Sequence, residues 1–209
     1  MLETRLIDIK DRDMIIDYLR SGKIVAFPTD TVFGLGCIYD DEEAISRIKM
    51  AKGRDEKKPL PMMCNSLKMI ESVAYVSSDV RRIIEHFTPG ALTIIFKKKE
   101  TVKDYVTNGL DTIGIRIPDD EMILDIIEKL GKPLLVTSAN LSNTPSLKNY
   151  TDVYDELNGR IDAIVKKDAR SDLASTIIDA TGENFKVLRE GKIRIEEIEE
   201  YLYEKWSCI

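Results

Sequence analysis

Small polar side chains follow two apolar runs of the sequence, in positions where they could bind a polar ligand. Residues 24–27 have the pattern of a buried strand and lead through a proline into Thr29 and Thr31. These hydroxyl groups either contact a ligand or close a turn by bonding to their own backbone. The predicted strand 134–137 leads in the same way into Ser138 and Asn140. Strand ends in open α/β sheets favour ligand binding, so both segments are candidate binding loops.

Cations concentrate between a predicted helix end and a predicted strand. Lys52, Arg54, Lys57 and Lys58 lie within seven residues. One interpretation is a solvated helix C-terminus, since the helix dipole favours cations there. The other is a triphosphate site, because the planar fork of Arg54 and the point charge of Lys52 are complementary donors to phosphate.

Arginines recur beside small or hydroxyl residues on two further strands. Strand alternation over residues 112–117 places Thr112, Gly114 and Arg116 on one face. Gly114 leaves room for a ligand beside the backbone, and Arg116 could pair with its carboxylate or phosphate. A structural ion pair is the alternative for Arg116. Ser175 and Arg189 again set a hydroxyl and an arginine beside apolar strands.

Several common kinds of site are missing from the sequence. The single histidine, His86, falls on the polar side of a predicted helix and is expected to be a surface residue without a partner. This argues against a hydrolase that needs a histidine base. There is no glycine-rich phosphate loop ending in Gly-Lys-Ser or Gly-Lys-Thr, no GxGxxG after a strand and no HExxH, so no metal site is predicted.

The elements that must position these residues alternate along the chain. Helical periodicity predicts helices at 11–20, 44–51, 80–87, 122–130 and 195–203. Short apolar runs predict strands at 24–27, 60–64, 92–97, 112–117, 134–137, 161–165, 175–180 and 185–188. Such alternation indicates an α/β fold, and the variety of connections predicts a mixed, twisted sheet. Residues 141–150 and 166–172 are expected to be surface loops.

Bulk composition indicates one globular domain over residues 1–209. With 43% hydrophobic and 33% charged residues, the chain can bury a sizeable core. Its net charge of −6 disfavours a strong nonspecific grip on nucleic acid, and no DNA partner is expected. Cys37, Cys64 and Cys208 form no CxxC pair. No apolar run reaches the roughly 20 residues of a membrane span, so a cytoplasmic protein with no membrane partner is expected.

Taken in order, these segments resemble the threonylcarbamoyl-AMP synthase family, also called the YrdC domain family. The shared motifs are PTDTVFGLG, KGR followed by KPL, LT after Pro89-Gly90, DTIGIRIP, SAN, STIID and LR-G. The resemblance covers about residues 24–191. Its most diagnostic element is the combination of Lys52, Arg54, Ser138 and Asn140.

The resemblance implies a fold and an activity. The implied fold is a twisted α/β sheet with helices packed on it and a large concave basic cavity. The implied activity makes threonylcarbamoyl-AMP and diphosphate from L-threonine, bicarbonate and ATP. ATP is expected as a substrate together with Mg²⁺, and no tightly bound cofactor is expected. The product serves threonylcarbamoyladenosine at position 37 of tRNA, so tRNA or a threonylcarbamoyl transferase is the expected partner.

The resemblance also assigns roles to residues. The L-threonine contacts fall on Thr31, Arg116, the backbone near Val136, and Ser175. The ATP contacts fall on Arg54, Lys58, Thr112, Ser138, Ser146 and Arg189. Catalysis is expected at Lys52, Arg54, Ser138 and Asn140. Carbamate formation and attack on the α-phosphate need orientation and charge stabilisation more than a protein nucleophile, which agrees with the lack of a partnered histidine.

The sequence departs from the family pattern at several places. Met63 stands where many members have a histidine, Ala91 stands where a second proline is common, and residues 166–172 lack the usual glycines. The chain is also expected to lack the additional C-terminal domain of the longer subfamily. Two alternative functions are a noncatalytic RNA-binding module and a domain that makes carbamoyl-AMP from carbamoyl phosphate. An acidic net charge and the lack of an aromatic-rich surface count against the first.

Overall fold

A computed structural model describes residues 3–55, 58–182 and 184–206, with side chains described to residue 201. Lys57 and Cys208 lie outside the described residues. The strands are β1 (Arg5–Asp8), β2 (Val25–Phe27), β3 (Gly34–Ile38), β4 (Met62–Met63), β5 (Leu92–Lys97), β6 (Thr112–Arg116), β7 (Leu134–Ser138), β8 (Ala163–Lys166), β9 (Thr176–Asp179) and β10 (Lys186–Arg189). The helices are α1 (Arg12–Arg20), α2 (Glu42–Lys52), α3 (Leu67–Val73), α4 (Ser78–Phe87), α5 (Asp104–Thr107), α6 (Glu121–Leu130), α7 (Tyr150–Leu157) and α8 (Ile195–Trp206). None of these described helices is long and apolar enough to cross a membrane.

The described strands form one mixed sheet in the order β1-β8-β2-β3-β7-β4-β6-β5-β9-β10. The neighbours β1/β8, β8/β2, β4/β6 and β5/β9 run parallel. The neighbours β2/β3, β3/β7, β7/β4, β6/β5 and β9/β10 run antiparallel. The predicted α/β fold with a mixed sheet is therefore confirmed.

Alternation along residues 24–27 shows how the sheet separates two hydrophobic clusters. Ile24 and Ala26 lie in the cluster that contains buried residues of α2, α4 and α7. Val25 and Phe27 lie in the cluster that contains buried residues of α1 and α6. Because successive side chains of a strand point to opposite faces, the helices cover both faces of the sheet.

Helix α2 ends in a way that separates two of the predicted site residues. It begins at the N-cap Asp41, whose Oδ1 accepts a hydrogen bond of 2.9 Å from the Ala44 N–H. It ends at Gly53, which has the left-handed φ of 58° that glycine adopts without steric cost. Lys52 is thus the last helical residue and faces inward, whereas Arg54 lies beyond the helix.

One face of the sheet is only partly covered by helices. The cluster with α1 and α6 reaches as far as Met63 on β4. Further along this face, β6 and β5 present Thr112, Gly114 and Thr93, while Ile113 and other alternate residues pack into the opposite cluster. This uncovered part of the sheet forms the floor of a cavity.

The five predicted helices and eight predicted strands are all found, although β4 is only two residues long. The sequence patterns do not reveal β1, β3, α3, α5 or α7. Strand β3 carries glycines, which are poor strand formers. They are needed because a Cβ at Gly34 would lie 2.8 Å from Val136 Cγ1, and one at Gly36 would lie 2.9 Å from Phe27 Cζ.

Candidate active site

Two adjoining cavities contain the predicted site residues. The first has a volume of about 370 Å³ and is lined by Thr31, Arg54, Thr112, Arg116, Val136, Ser138, Ser146, Ser175 and Arg189, with apolar neighbours. The second has a volume of about 600 Å³ and is lined by Lys52, Arg54, Lys58, Ser138, Asn140 and Ser146, with further polar residues. Arg54, Ser138 and Ser146 line both, so the cavities meet at these side chains. The structure brings every predicted site residue into one connected region.

Arg116 forms a buried ion pair beside the first cavity. Its Nη2 contacts Asp30 Oδ2, and the two side chains are only 6% and 3% exposed. Its Nη1 donates to Thr31 Oγ1 at 2.8 Å, and its Nε donates to the Gly90 carbonyl at 2.9 Å. Burial lowers the pKa of Arg116 from its ordinary value, and the charge of Asp30 opposes that shift. The structural ion pair of Arg116 is therefore present, and Arg116 also lines the cavity, while its contact with a ligand stays a prediction.

The two threonines before β3 have different surroundings. Thr29 Oγ1 donates to the Val32 carbonyl at 2.8 Å and accepts from the Thr31 N–H at 3.0 Å, so Thr29 closes the turn. Thr31 Oγ1 lies 3.0 Å from Thr29 Oγ1 and accepts from Arg116. Thr31 is thereby held at the cavity wall in a fixed orientation.

Asp30 is a site residue that the sequence analysis does not predict. Its only sequence signal is its position between two threonines. Among the described residues, its Oδ1 atom is buried and has no hydrogen-bond partner. Burying a polar atom without a partner costs free energy. The ion pair between the other oxygen of Asp30 and Arg116 offsets this cost.

Ser175 and Arg189 form a second arginine and hydroxyl pair at the same cavity. Arg189 donates to the Ser175 carbonyl from Nη2 at 2.8 Å and from Nε at 3.2 Å, and Nη2 lies 3.3 Å from Ser175 Oγ. Ser175 Oγ also lies 2.8 Å from Thr93 Oγ1. Burial lowers the pKa of Arg189. Arg189 and Arg116 both line the first cavity, and the positive charge of Arg189 adds to the effect of burial in lowering the pKa of Arg116.

Lys52 is nearly inaccessible, with 2% of its surface exposed. Its Nζ donates to the carbonyls of Ser138 and Asn140 and lies 3.5 Å from Asn140 Oδ1. Burial lowers its pKa to about 8, a shift that Arg54 strengthens and Glu156 opposes. Lys52 therefore contacts the loop after β7 directly.

Asn140 points into the loop that follows β7. Its Nδ2 donates to the Leu141 carbonyl at 2.9 Å and to the Thr144 carbonyl at 2.8 Å. Glu156 Oε1 on α7 accepts from the Leu141 N–H. No sequence signal indicates Glu156, because the pattern of residues 150–157 does not predict α7. The expected surface loop at 141–150 is thus tied down by internal hydrogen bonds.

Arg54 is half-buried at the junction of the two cavities. Its Nη2 donates to the Pro59 carbonyl at 3.1 Å, and its Nε lies 3.4 Å from the Lys58 carbonyl. Burial lowers its pKa from the ordinary value. Unlike Lys52, Arg54 keeps part of its surface open to both cavities.

The remaining wall of the first cavity includes Val136 and Met63, which are both buried. The Val136 N–H donates to the Pro61 carbonyl at 2.9 Å. The side chain of Val136 therefore faces the cavity while its amide is already paired.

The second predicted loop, residues 166–172, packs against the threonine segment. The Arg170 N–H donates to the Thr29 carbonyl at 3.1 Å, and the Ser171 N–H donates to the Thr31 carbonyl at 3.0 Å. Lys166 itself is the last residue of β8. This loop therefore supports the wall that carries Thr31.

His86 is exposed, as expected, but it has a partner. Its ring stacks on Tyr201 with the ring centroids 4.0 Å apart, outside both cavities. Within the ranges that the structure describes, no group of three or more His, Cys, Asp or Glu side chains is arranged to hold a metal ion.

Sequence and structure comparisons identify the family. The family model Sua5_yciO_yrdC, described as Telomere recombination, matches residues 17–191. The chain belongs to this family. It is 38% identical to a threonylcarbamoyl-AMP synthase from Pyrococcus abyssi. That alignment spans 189 residues and covers 90% of this chain and 56% of the relative. It is 35% identical to a threonylcarbamoyl-AMP synthase from Bacillus subtilis. That alignment spans 184 residues and covers 87% of this chain and 53% of the relative.

The fold is also that of the Sua5/YciO/YrdC family. The crystal structure of P. abyssi Sua5 complexed with L-threonine aligns with a TM-score of 0.88 at 35% identity, over 96% of this chain and 60% of that one. The chain thus spans little more than half the length of the curated relatives named above.

Proposed function

We propose that this member of the Sua5/YciO/YrdC family makes threonylcarbamoyl-AMP and diphosphate from L-threonine, bicarbonate and ATP. The observation that carries the proposal is the meeting of two different cavities at Arg54 and Ser138. The first cavity combines hydroxyls with three arginines, Arg54, Arg116 and Arg189, and the second combines polar residues with the cationic turn. A carboxylate and a polyphosphate match these two regions. The names of the relatives and the L-threonine complex of the structural neighbour support the proposal.

In this proposal the carboxylate of L-threonine lies beside Arg116. Asp30 already balances the charge of Arg116, so Arg116 contributes N–H donors to the carboxylate, and Arg189 is kept for the phosphates of ATP. Thr31 and Ser175 supply hydroxyl contacts to the same substrate. Val136 would form the apolar wall beside them.

The nucleotide would lie over Thr112 with its phosphates toward Arg54, Lys58, Ser138, Ser146 and Arg189. Gly114 leaves the backbone of β6 accessible at the cavity floor, with the nearest atom to an added Cβ 3.5 Å away. The second cavity, with Lys58 exposed at its edge, would accept the diphosphate. This places the α-phosphate near the junction of the two cavities.

The reaction would then proceed by orientation and charge stabilisation. The threonine amine attacks the carbon derived from bicarbonate, with loss of water, and forms a carbamate. A carbamate oxygen attacks the α-phosphorus, the bond from that phosphorus to the bridging oxygen breaks, and the electron pair leaves with diphosphate. Arg54 lies where this charge develops, and preorganised donors of this kind lower the barrier without a protein nucleophile.

Mg²⁺ would enter with the phosphates of ATP, as this ion commonly does. Asp55 is a carboxylate that lines the second cavity and could supply one ligand. We place the reaction in the cytoplasm, with the acyl adenylate consumed by a transferase that modifies tRNA. The whole chain would act as one domain.

Diphosphate release tests the proposed function directly. We expect release from ATP only when both L-threonine and bicarbonate are present. Carbamoyl phosphate without threonine should give no diphosphate release from ATP. Equal turnover with carbamoyl phosphate would instead show that the product is carbamoyl-AMP and not threonylcarbamoyl-AMP. Tight, salt-sensitive tRNA binding with no diphosphate under any condition would favour an RNA-binding module instead.

Arg54→Ala should abolish this release, because it removes the guanidinium at the junction of the cavities. The loss of one such donor costs roughly 3 kcal/mol of transition-state stabilisation, or more than about a hundredfold in kcat. Arg81→Ala is the matched control, since Arg81 is exposed and paired with Glu71 away from both cavities. An Arg54→Ala enzyme as active as Arg81→Ala would remove Arg54 from catalysis.

Arg116→Lys should raise the KM for L-threonine by about tenfold, or roughly 1.4 kcal/mol, because an ammonium cannot replace the guanidinium fork. Initial rates at varied threonine and saturating ATP measure this. Arg12→Lys, at a surface ion pair with Asp125, should leave the KM unchanged. An unchanged KM in Arg116→Lys would place the carboxylate elsewhere.

A further inference from the structure

We propose that Lys52 is a positioning residue that fixes the loop of residues 138–146, and that it does not itself bind phosphate. The proposal deepens the proposed function and rests on it only for the activity measurements. It concerns how the two cavities obtain their shared wall.

The hydrogen bonds of the Lys52 ammonium carry the argument. An ammonium group has three N–H donors. In this structure three loop oxygens surround them, the carbonyls of Ser138 and Asn140 and the Oδ1 atom of Asn140. With only 2% of the residue exposed, a phosphate could contact Nζ only by displacing one of these oxygens.

The backbone of Lys52 holds the same loop from the other side. Its carbonyl accepts from the Ser142 N–H at 2.9 Å. The Ala139 N–H donates to the Phe33 carbonyl at 2.7 Å, and the Leu141 N–H donates to Glu156. The peptide groups from 138 to 142 are thus oriented by the end of α2, by Phe33 just before β3, and by α7.

This arrangement explains why Lys52 matters to a ligand that it does not touch. The ammonium draws the carbonyls of Ser138 and Asn140 inward, which fixes the backbone that carries Ser138. The Ser138 side chain lines both cavities beside Arg54 and Ser146. Of the two cations in the Lys52 and Arg54 motif, Arg54, which is half-buried at the junction of the cavities, is then the one that meets phosphate.

Hydrogen exchange of the ligand-free chain distinguishes a positioning role from a ligand role. In Lys52→Met, we expect the amides of residues 139–142 to exchange about tenfold faster or more, while α6 exchanges as in the wild type. Arg54→Met should leave the exchange of both segments unchanged. Wild-type exchange at 139–142 in Lys52→Met would overturn the proposal.

Ligand binding and kinetics supply the second measurement. We expect Lys52→Met to lower kcat for diphosphate release by more than about a hundredfold while the Kd for ATP rises less than about fivefold. Arg54→Met should raise the Kd for ATP by about tenfold or more. Equal losses of ATP affinity in the two variants, measured by calorimetry, would make Lys52 a direct phosphate ligand and overturn the proposal.

A second variant keeps the test decisive if Lys52→Met does not fold. Asn140→Ala removes one of the Lys52 acceptors and the Nδ2 bonds to Leu141 and Thr144, so it should accelerate the same amides. Unchanged exchange there would count against the proposal. If the wild-type chain releases no diphosphate, the proposed function fails, while the exchange experiment still decides the role of Lys52.

Discussion

The buried ion pair between Asp30 and Arg116 predicts a large loss of stability in Asp30→Asn. This substitution keeps the shape of the side chain but leaves the guanidinium of Arg116 without its counter-charge. Both side chains are almost fully removed from solvent, at 3% and 6% exposure. Removing one partner of such a pair costs about 3–5 kcal/mol, because an uncompensated charge stays buried. The asparagine oxygen can still accept from Arg116, so we expect about 3 kcal/mol.

Urea unfolding at neutral pH measures the effect, with the slope of the transition unchanged. Asp40→Asn is the matched control, since Asp40 pairs with Lys132 at 2.7 Å while their side chains are 33% and 50% exposed. An exposed pair of this kind contributes about 0–1 kcal/mol.

A double variant separates charge from packing. Arg116→Gln combined with Asp30→Asn removes both charges, so its cost should be smaller than the sum of the two single costs. The reasoning would be refuted if Asp30→Asn cost no more than Asp40→Asn, or if the single costs were simply additive.

Two further predictions concern the supports of the site. Gly191→Ala should destabilise the fold by about 1–3 kcal/mol and reduce activity, because its Cβ would lie 2.3 Å from the Ala174 carbonyl oxygen and 2.5 Å from the Ser175 carbonyl carbon. Urea unfolding of Gly182→Ala is the control, because the nearest atom to its Cβ among the described residues beyond its chain neighbours would be the Asn184 carbonyl oxygen at 3.8 Å. Equal stability of the two variants would contradict the prediction. Burial raises the pKa of Asp120, the N-cap of α6. The folded chain therefore binds the proton of this carboxyl group more tightly than the unfolded chain does. The free energy of unfolding consequently falls as pH rises through the folded-state pKa. Asp120→Asn keeps the helix cap and should become more stable relative to the wild type as pH rises from about 4 to 7. Unfolding experiments across that range measure the difference. A relative loss of stability would show that the carboxylate charge is stabilising.

Strand β3 and helix α7 show where sequence patterns stop being informative. The two glycines of β3 have low strand propensity. They are required because the side chains of Val136 and Phe27 on the neighbouring strands leave no room for a Cβ atom. Helix α7 buries only Val153 and Leu157, so its apolar stripe is too short to stand out. Longer stripes such as that of α6 are readable because four buried residues repeat at helical spacing.

The candidate site divides in the same way. Local motifs and their resemblance to a family predict which residues gather at the cavities, because residue types and their order survive in the sequence. They do not predict which of these residues face a ligand and which face the protein. Lys52 and Arg54 belong to one motif, yet Lys52 is 2% exposed and Arg54 is half-buried.

The sequence by itself determined the α/β class, most of the residues that gather at the cavities, and the alternation that turns Arg116 toward the first cavity. Each of these depends on local periodicity or on the order of short motifs. Only the tertiary structure decided that Asp30 balances Arg116, that Arg189 clamps Ser175, and that loop carbonyls surround Lys52. These contacts join residues far apart in the chain. Such pairings depend on packing and desolvation, which arise only when folding brings distant residues together.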